Sequence, residues 1–154
     1  MFHTQFENFF KDKTVLVTGH TGFIGSWLTL WLQLLGSNII GLSIDIPTKP
    51  SLFQILNLEK KINHNFGDIN DLQNMKILLD THRPDIVFHL AAQPLVKESY
   101  ETPLSTFQTN IMGTANLLES IRNCNSVKNC IIMTSDKCYK NSESLNAFIE
   151  NDPM

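Results

Sequence analysis

KTVLVTGHTGFIGSWLTLWLQLLG, residues 13–36, joins a short apolar run to a glycine-rich turn and then to a long apolar segment. Val15, Leu16 and Val17 are continuous and partly β-branched, which suits a strand covered on both faces of a parallel sheet. Gly19, Gly22 and Gly25 follow at the spacing G-x-x-G-x-x-G, and residues 23–35 are apolar nearly all round a helical wheel, with Trp27 and Trp31 one turn apart. The stretch reads as strand, loop and helix, with the helix stopped by Gly36 and buried between the sheet and its neighbours. In that setting one glycine turns the chain off the strand, another admits a pyrophosphate to backbone N–H groups, and the third lets helix and strand pack closely. The positions set against the phosphates are Gly19, Thr21, Gly22, Phe23, Ile24 and Gly25. A glycine-rich turn that binds nothing is the alternative, and the strand before it and the helix after it weigh against that.

Outward from this unit, residues 38–44 read as a second strand, 62–66 as a third, 85–90 as a fourth and 129–133 as a fifth. Between them, residues 71–82 carry Leu72, Met75, Leu78 and Leu79 on one helical face, ended by Pro84, and residues 103–124 carry a longer helical pattern interrupted at Asn110 and Gly113. A short helix fits after Ser51, and Phe2, Phe6, Phe9 and Phe10 could lay an apolar edge against the sheet. Strands alternating with helices predict a doubly wound α/β fold of the Rossmann type, one parallel sheet in the order 3-2-1-4-5, and 154 residues fit a single domain.

Composition excludes several classes. Net charge is −3 and only Arg83 and Arg122 supply guanidinium groups, so no nucleic-acid partner is expected. No apolar run reaches membrane-spanning length and the first residues lack a basic-then-apolar pattern, which predicts a cytosolic chain with no membrane partner. Cys124, Cys130 and Cys138 are odd in number and show no metal-type pairing, so they read as reduced, buried or half-buried thiols, and no metal site is expected.

In the 3-2-1-4-5 order the exits of strands one, four and five share one crevice. The acidic partner for a ribose is expected about twenty residues past the glycines, where Asp45 stands. Asp68, with Ile69, follows the third strand, where a carboxylate can accept from an adenine amino group or merely cap the next helix. Ala91, Ala92 and Gln93 leave the fourth strand with side chains small enough for close approach by a ligand. His89, inside that strand, reads as a packed, hydrogen-bonded imidazole, and Asn110 as a brace for a neighbouring loop. Ser135, Asp136 and Lys137 leave the fifth strand, where a hydroxyl, a carboxyl and an amine can orient a sugar hydroxyl, protonate a leaving group and take a carbon-bound proton. A turn built on Ser and Asp is the plainer reading of the same residues.

TGHTGFIG, residues 18–25, resembles the cofactor loop of the extended short-chain dehydrogenase/reductase superfamily, whose members mostly rework nucleotide-linked sugars. The longer stretches GHTGFIGSWLTLWLQLLG, IPTKPSLF, IVFHLAAQPLVKESYETP, TNIMGTANLLE and TSDKCYKN, in order, resemble the CDP-glucose 4,6-dehydratase family within it. The resemblance implies bound NAD, CDP-glucose as the nucleotide sugar, a homo-oligomer, and a lyase reaction in which hydride leaves C4, water leaves across C5 and C6, and hydride returns to C6. It implies that Ser135 binds the 4-hydroxyl, Asp136 protonates the departing 6-hydroxyl and Lys137 takes the C5 proton, a role that calls for a neutral amine. It also moves the ribose position to Ser43, leaves NAD against NADP open, and favours adenine for Asp68. Relatives acting on dTDP-glucose usually carry Thr-Asp-Glu where this chain has Ser135-Asp136-Lys137.

One element of the superfamily pattern is missing. Its proton-transfer pair is Tyr-x-x-x-Lys, whereas Tyr100 is followed four residues on by Leu104 and Tyr139 by Glu143. The expectation is an amino-terminal portion that ends after about the fifth strand, without the substrate domain, and is inactive alone.

Overall fold

The computed structural model describes residues 6, 8–140 and 147–154, with Asp136 described by its backbone only. Its strands are β1 (Thr14–Thr18), β2 (Asn38–Ser43), β3 (Asn63–Phe66), β4 (Ile86–His89) and β5 (Asn129–Ile132). All neighbouring pairs are parallel, and the order β3-β2-β1-β4-β5 is the one expected from the sequence. The helices are α1 (Phe23–Leu34), α2 (Leu52–Ile55), α3 (Leu72–His82), α4 (Val96–Glu101), α5 (Pro103–Phe107) and α6 (Thr114–Arg122). None is long and apolar enough to cross a membrane among the described residues.

Paired residues of a parallel sheet share a face and successive residues change it, so β1 divides the core in two. Leu16, Ile40, Leu42 and Val87 meet Met75, Leu78 and Leu79 of α3 and Leu117 of α6 on one side. Val15, Val17, Ile39 and Ile86 meet Leu32 of α1 on the other, flanked by Leu28, Phe88 and Leu90. Burial of each such side chain contributes about 1.5–3 kcal/mol. The ends of α3 are set by local chemistry: Asp71 Oδ1 accepts from the Asn74 N–H at 2.9 Å, and Arg83 takes a left-handed conformation (φ 44°) just before Pro84.

Helix α1 corrects the expectation of a helix buried all round. It buries Gly25, Ser26, Thr29 and Leu32, while Phe23 (73% exposed), Ile24, Trp27, Trp31 and Leu34 face outward. The reason is distance: a Cβ on Gly25 would overlap the Gly19 carbonyl oxygen, so the helix start sits too near the turn for large side chains on its inner face. The pattern over residues 103–124 also resolves differently. Its interruption is a π turn, Gln108–Gly113, between α5 and α6, and α4 precedes it where the sequence suggested no helix. Phe2 and His3 lie outside the described residues; Phe6 stands edge-on to Trp31 at 5.7 Å and Phe10 packs beside the second core, in turns rather than a helix.

Candidate functional site

The glycine turn is held from three sides. Gly19 has φ +72°, and a Cβ there would fall 2.8 Å from the Ala91 nitrogen, so only glycine combines this turn with the close approach of the β4 exit. The buried Thr18 hydroxyl accepts from the N–H groups of Leu90 and Ala91, each at 3.2 Å, which ties the exits of β1 and β4 together. With its oxygen so occupied, Thr18 donates to His89 Nδ1 at 2.7 Å; His89 Nε2–H then donates to Thr114 Oγ1 at 3.0 Å, which donates to the Asn110 carbonyl at 2.8 Å. His89 is thus the buried, satisfied imidazole the sequence suggested, and burial holds it below the usual histidine range. Gly22 differs from its two companions: a Cβ would touch only the Gly19 oxygen, at 3.3 Å, and meet open space otherwise. It begins α1, whose first turn has no side-chain cap and no acidic residue. Uncapped N–H groups beside open space are what an anionic phosphate needs.

The residues expected from the sequence to meet adenosine separate. Ser43 is buried, accepts from the Thr21 N–H at 3.3 Å and bonds His20 Nδ1 at 2.9 Å, so its hydroxyl is already engaged. Strand β2 stops at Ser43, and Asp45 is exposed, with its carbonyl accepting from Thr21 Oγ1 at 2.6 Å. Asp68 uses Oδ1 to accept from the Asn70 N–H at 2.9 Å, the turn role, while the helix cap itself is Asp71. Ile69 points into the core, against the position where Gly113 would carry a Cβ.

His20 and His64, not singled out from the sequence, complete this corner. His20 Nε2 bonds His64 Nδ1 at 2.7 Å, and the His20 ring lies on Gly41, where a Cβ would come within 2.5–2.6 Å of it. Phe53 stands edge-on at 5.2 Å. Burial first, and His64 second, lower His20 to about 4, against a smaller upward pull from the Leu42 carbonyl. His64 is also lowered, chiefly by burial, with Glu59 opposing. The readable signal was Gly41, a glycine inside a buried apolar strand, which marks a close approach.

The exits of β4 and β5 lie side by side, since the Met133 N–H donates to the His89 carbonyl at 2.9 Å. Asn110 braces the first exit as expected: its Oδ1 accepts from the Gln93 N–H at 2.8 Å and its Nδ2 donates to the Gln93 carbonyl at 3.1 Å. The Gln93 side chain folds back on its own loop, accepting from the Leu95 N–H and donating to Thr106 Oγ1. Ala91 packs against the first core and Ala92 is exposed. Beyond β5, Ser135 and Lys137 are both exposed and belong to one short turn, in which Ser135 Oγ accepts from the Lys137 N–H at 3.1 Å. The Asp136 side chain lies outside the described residues. Cys124 and Cys130 are half-buried, whereas Cys138 is exposed, contrary to the expectation for it.

The sequence and the fold recur in known proteins. Over 148 residues the chain is 47% identical to a CDP-glucose 4,6-dehydratase of Salmonella typhimurium, matching 96% of this chain and 41% of that one. A UDP-glucose 4-epimerase of Yersinia enterocolitica is 34% identical over 132 residues, 84% of this chain and 39% of that one. The chain thus spans about two fifths of the length of these curated relatives. Among solved structures, the UDP-glucose-4-epimerase of Stenotrophomonas maltophila with bound NAD and formylated UDP-arabinopyranose superposes with TM-score 0.78 at 29% identity, over 92% of this chain and 42% of that one. The Thermus thermophilus UDP-glucose 4-epimerase complex with NAD gives 0.78 at 31% identity, over 91% and 43%. The family model for GDP-mannose 4,6 dehydratase matches residues 16–154, from the middle of β1 through the turn that carries Ser135 and Lys137, and on that match the chain belongs to this family of extended short-chain dehydrogenase/reductases.

Proposed function

We propose that the chain is the NAD-binding part of a cytosolic, homo-oligomeric sugar-nucleotide 4,6-dehydratase whose substrate is CDP-glucose. The observation that carries the reading is the glycine turn, where open space in front of Gly22 meets the uncapped start of α1. In this reading those N–H groups hold the diphosphate, Asp45 takes ribose hydroxyls, and the Asp68 oxygen not used in its turn accepts from adenine. Ser43 acts from beneath, by fixing Thr21, rather than as a direct ribose ligand. Ala91 and Ala92 leave room beside Gln93 for the nicotinamide end. Bound NAD supplies the hydride acceptor and donor for the sugar. Ser135 holds the 4-hydroxyl, Asp136 protonates the departing 6-hydroxyl and Lys137 takes the C5 proton, so that water leaves with its protons accounted for. The 47% identity to a CDP-glucose enzyme and the lysine at position 137 favour the cytidine-linked sugar.

Binding without turnover is the second reading, favoured by the absence of a lysine four residues after either Tyr100 or Tyr139. General-base assistance is worth about 10²–10⁴-fold, so the 154-residue chain by itself is expected to make 4-keto sugar at least ~10²-fold more slowly than a relative that has the pair. Calorimetry with NAD tests the binding site: Gly22→Val should weaken binding at least ~10-fold by filling the phosphate's space, and unaltered affinity would remove this loop from the proposal. Incubation with CDP-glucose and NAD tests the chemistry. Turnover within tenfold of the relative would overturn the second reading and support the first.

A further inference from the structure

The corner beneath the glycine turn contains more than a binding loop requires. Thr21 N–H, Ser43 Oγ, His20 and His64 form one continuous chain of hydrogen bonds that crosses from the turn to β2 and on to β3. His20 cannot move alone. Its ring is seated on Gly41 with Phe53 at its edge, its carbonyl accepts from Ser26 Oγ at 3.2 Å, and a Cβ on Gly25 would come within 2.7 Å of its Cα. The ring is thus held by Gly41, Phe53, Ser43 and His64, and the backbone that carries it packs directly on the start of α1.

We propose that His20 is a positioning residue for dinucleotide binding, and that with His64 it forms a proton-sensitive clamp that fixes the glycine turn at neutral pH and releases it in acid. The proposal rests on the NAD reading of the turn given above. The clamp tolerates one proton, because the chain can run either way: with His64 charged, its Nδ1–H donates to His20 Nε2, and His20 Nδ1–H donates to Ser43 Oγ. A second proton cannot be accommodated, since two N–H groups would then face each other across 2.7 Å.

The groups facing the pair are few. β2 supplies Ser43 and the Leu42 carbonyl, α2 supplies Phe53, β3 supplies Phe66 beside His64, and the Leu58–Lys60 turn supplies Glu59, whose charge favours a proton on His64. Among the described residues, no carboxylate is one of the groups that act on His20. Direction follows from linkage. His20 is lowered in the clamped state to about 4 from the ordinary 6.5, so the stability that clamping contributes is fully present above about 6.5 and is lost as the pH falls from there towards 4.

The test combines NAD calorimetry on the full 154-residue chain between pH 7.5 and 5.0 with exchange of the Thr21 amide, which needs no cofactor. NAD affinity is expected to fall at least ~10-fold across this range, because a proton that the clamped state refuses weakens it by a factor of about ten for every pH unit below the ordinary histidine value. Thr21 should lose protection over the same interval while the far-ultraviolet circular dichroism stays constant. His64→Gln keeps a hydrogen-bonding partner that does not titrate and leaves only burial to lower His20, so NAD affinity should fall by a smaller factor than in the parent over the same range. His64→Leu removes the partner and should weaken binding already at pH 7.5. An acid loss in His64→Gln equal to that of the parent would overturn the clamp, as would Thr21 protection that persists at pH 5.0 or falls only with global unfolding. A parent that binds no NAD at pH 7.5 defeats the NAD reading instead, and the Thr21 exchange then decides the clamp on its own.

Discussion

The turn after β1 and the turn after β5 leave the same edge of the sheet, with only β4 between them, yet they are built in opposite ways. Around the first, Thr18, His20, Thr21, Ser26 and Ser43 are all buried, and each is tied to a partner on another element or across the turn. Around the second, Met133 and Ser135 stand exposed ahead of a single 3-10 turn, Asp136–Cys138, on which Lys137 is exposed too. The difference matches the roles that the proposed function gives the two ends. A phosphate is held by backbone N–H groups, and backbone is useful only when it is fixed; groups that must reach a sugar work as side chains, and a short exposed turn is enough to display them.

Substitutions at the two ends put this contrast at risk. Gly25→Val should have the largest effect, a loss above about 4 kcal/mol or no folded protein in urea titration, because the added carbons meet the Gly19 carbonyl and the His20 Cα. Thr18→Val keeps shape and leaves the Leu90 N–H on the Thr18 carbonyl, but strands the Ala91 N–H and His89 Nδ1, and should cost about 2–3 kcal/mol in the same titration. Asn110→Ala removes both bonds to the Gln93 backbone and is expected to cost about 1–2 kcal/mol, with faster amide exchange confined to the loop after β4. Ser135→Ala should change stability by no more than about 0.5 kcal/mol. A loss there as large as that of Thr18→Val would mean that the exposed β5 turn depends on its side chains as much as the buried turn does, and the contrast would fall.

Much of the braced end was legible because its signals are local. Strand, glycine spacing and helix follow one another within residues 13–36, and the face of α3 and the character of His89 follow from periodicity and from a polar group set in an apolar strand. What could not be read depends on distances between segments. Hydrophobicity cannot tell which side of α1 is buried, and the glycine that brings the helix close to the turn reverses the natural guess by turning Trp27 and Trp31 outward. The Ser43–His20 bond could not be read because the two are 23 residues apart, and the His20–His64 bond appears only once β2 and β3 are in register with Gly41 opposite His64. At the β5 end the residue types were evident, but exposed residues leave no apolar periodicity in the sequence from which the turn could be read.

The π turn Gln108–Gly113 sets an angular phase. An α-helix advances about 100° per residue, so one extra residue in a wide turn rotates everything before it by that much relative to everything after. Asn110 faces Gln93 and Thr114 faces His89 from the same short span, two contacts separated along the sheet edge. Deleting one residue from this span would restore a regular helix and turn Asn110 away from Gln93 by about a quarter of a revolution, uncoupling the β4 exit from the imidazole chain beneath it without altering a single residue that touches either.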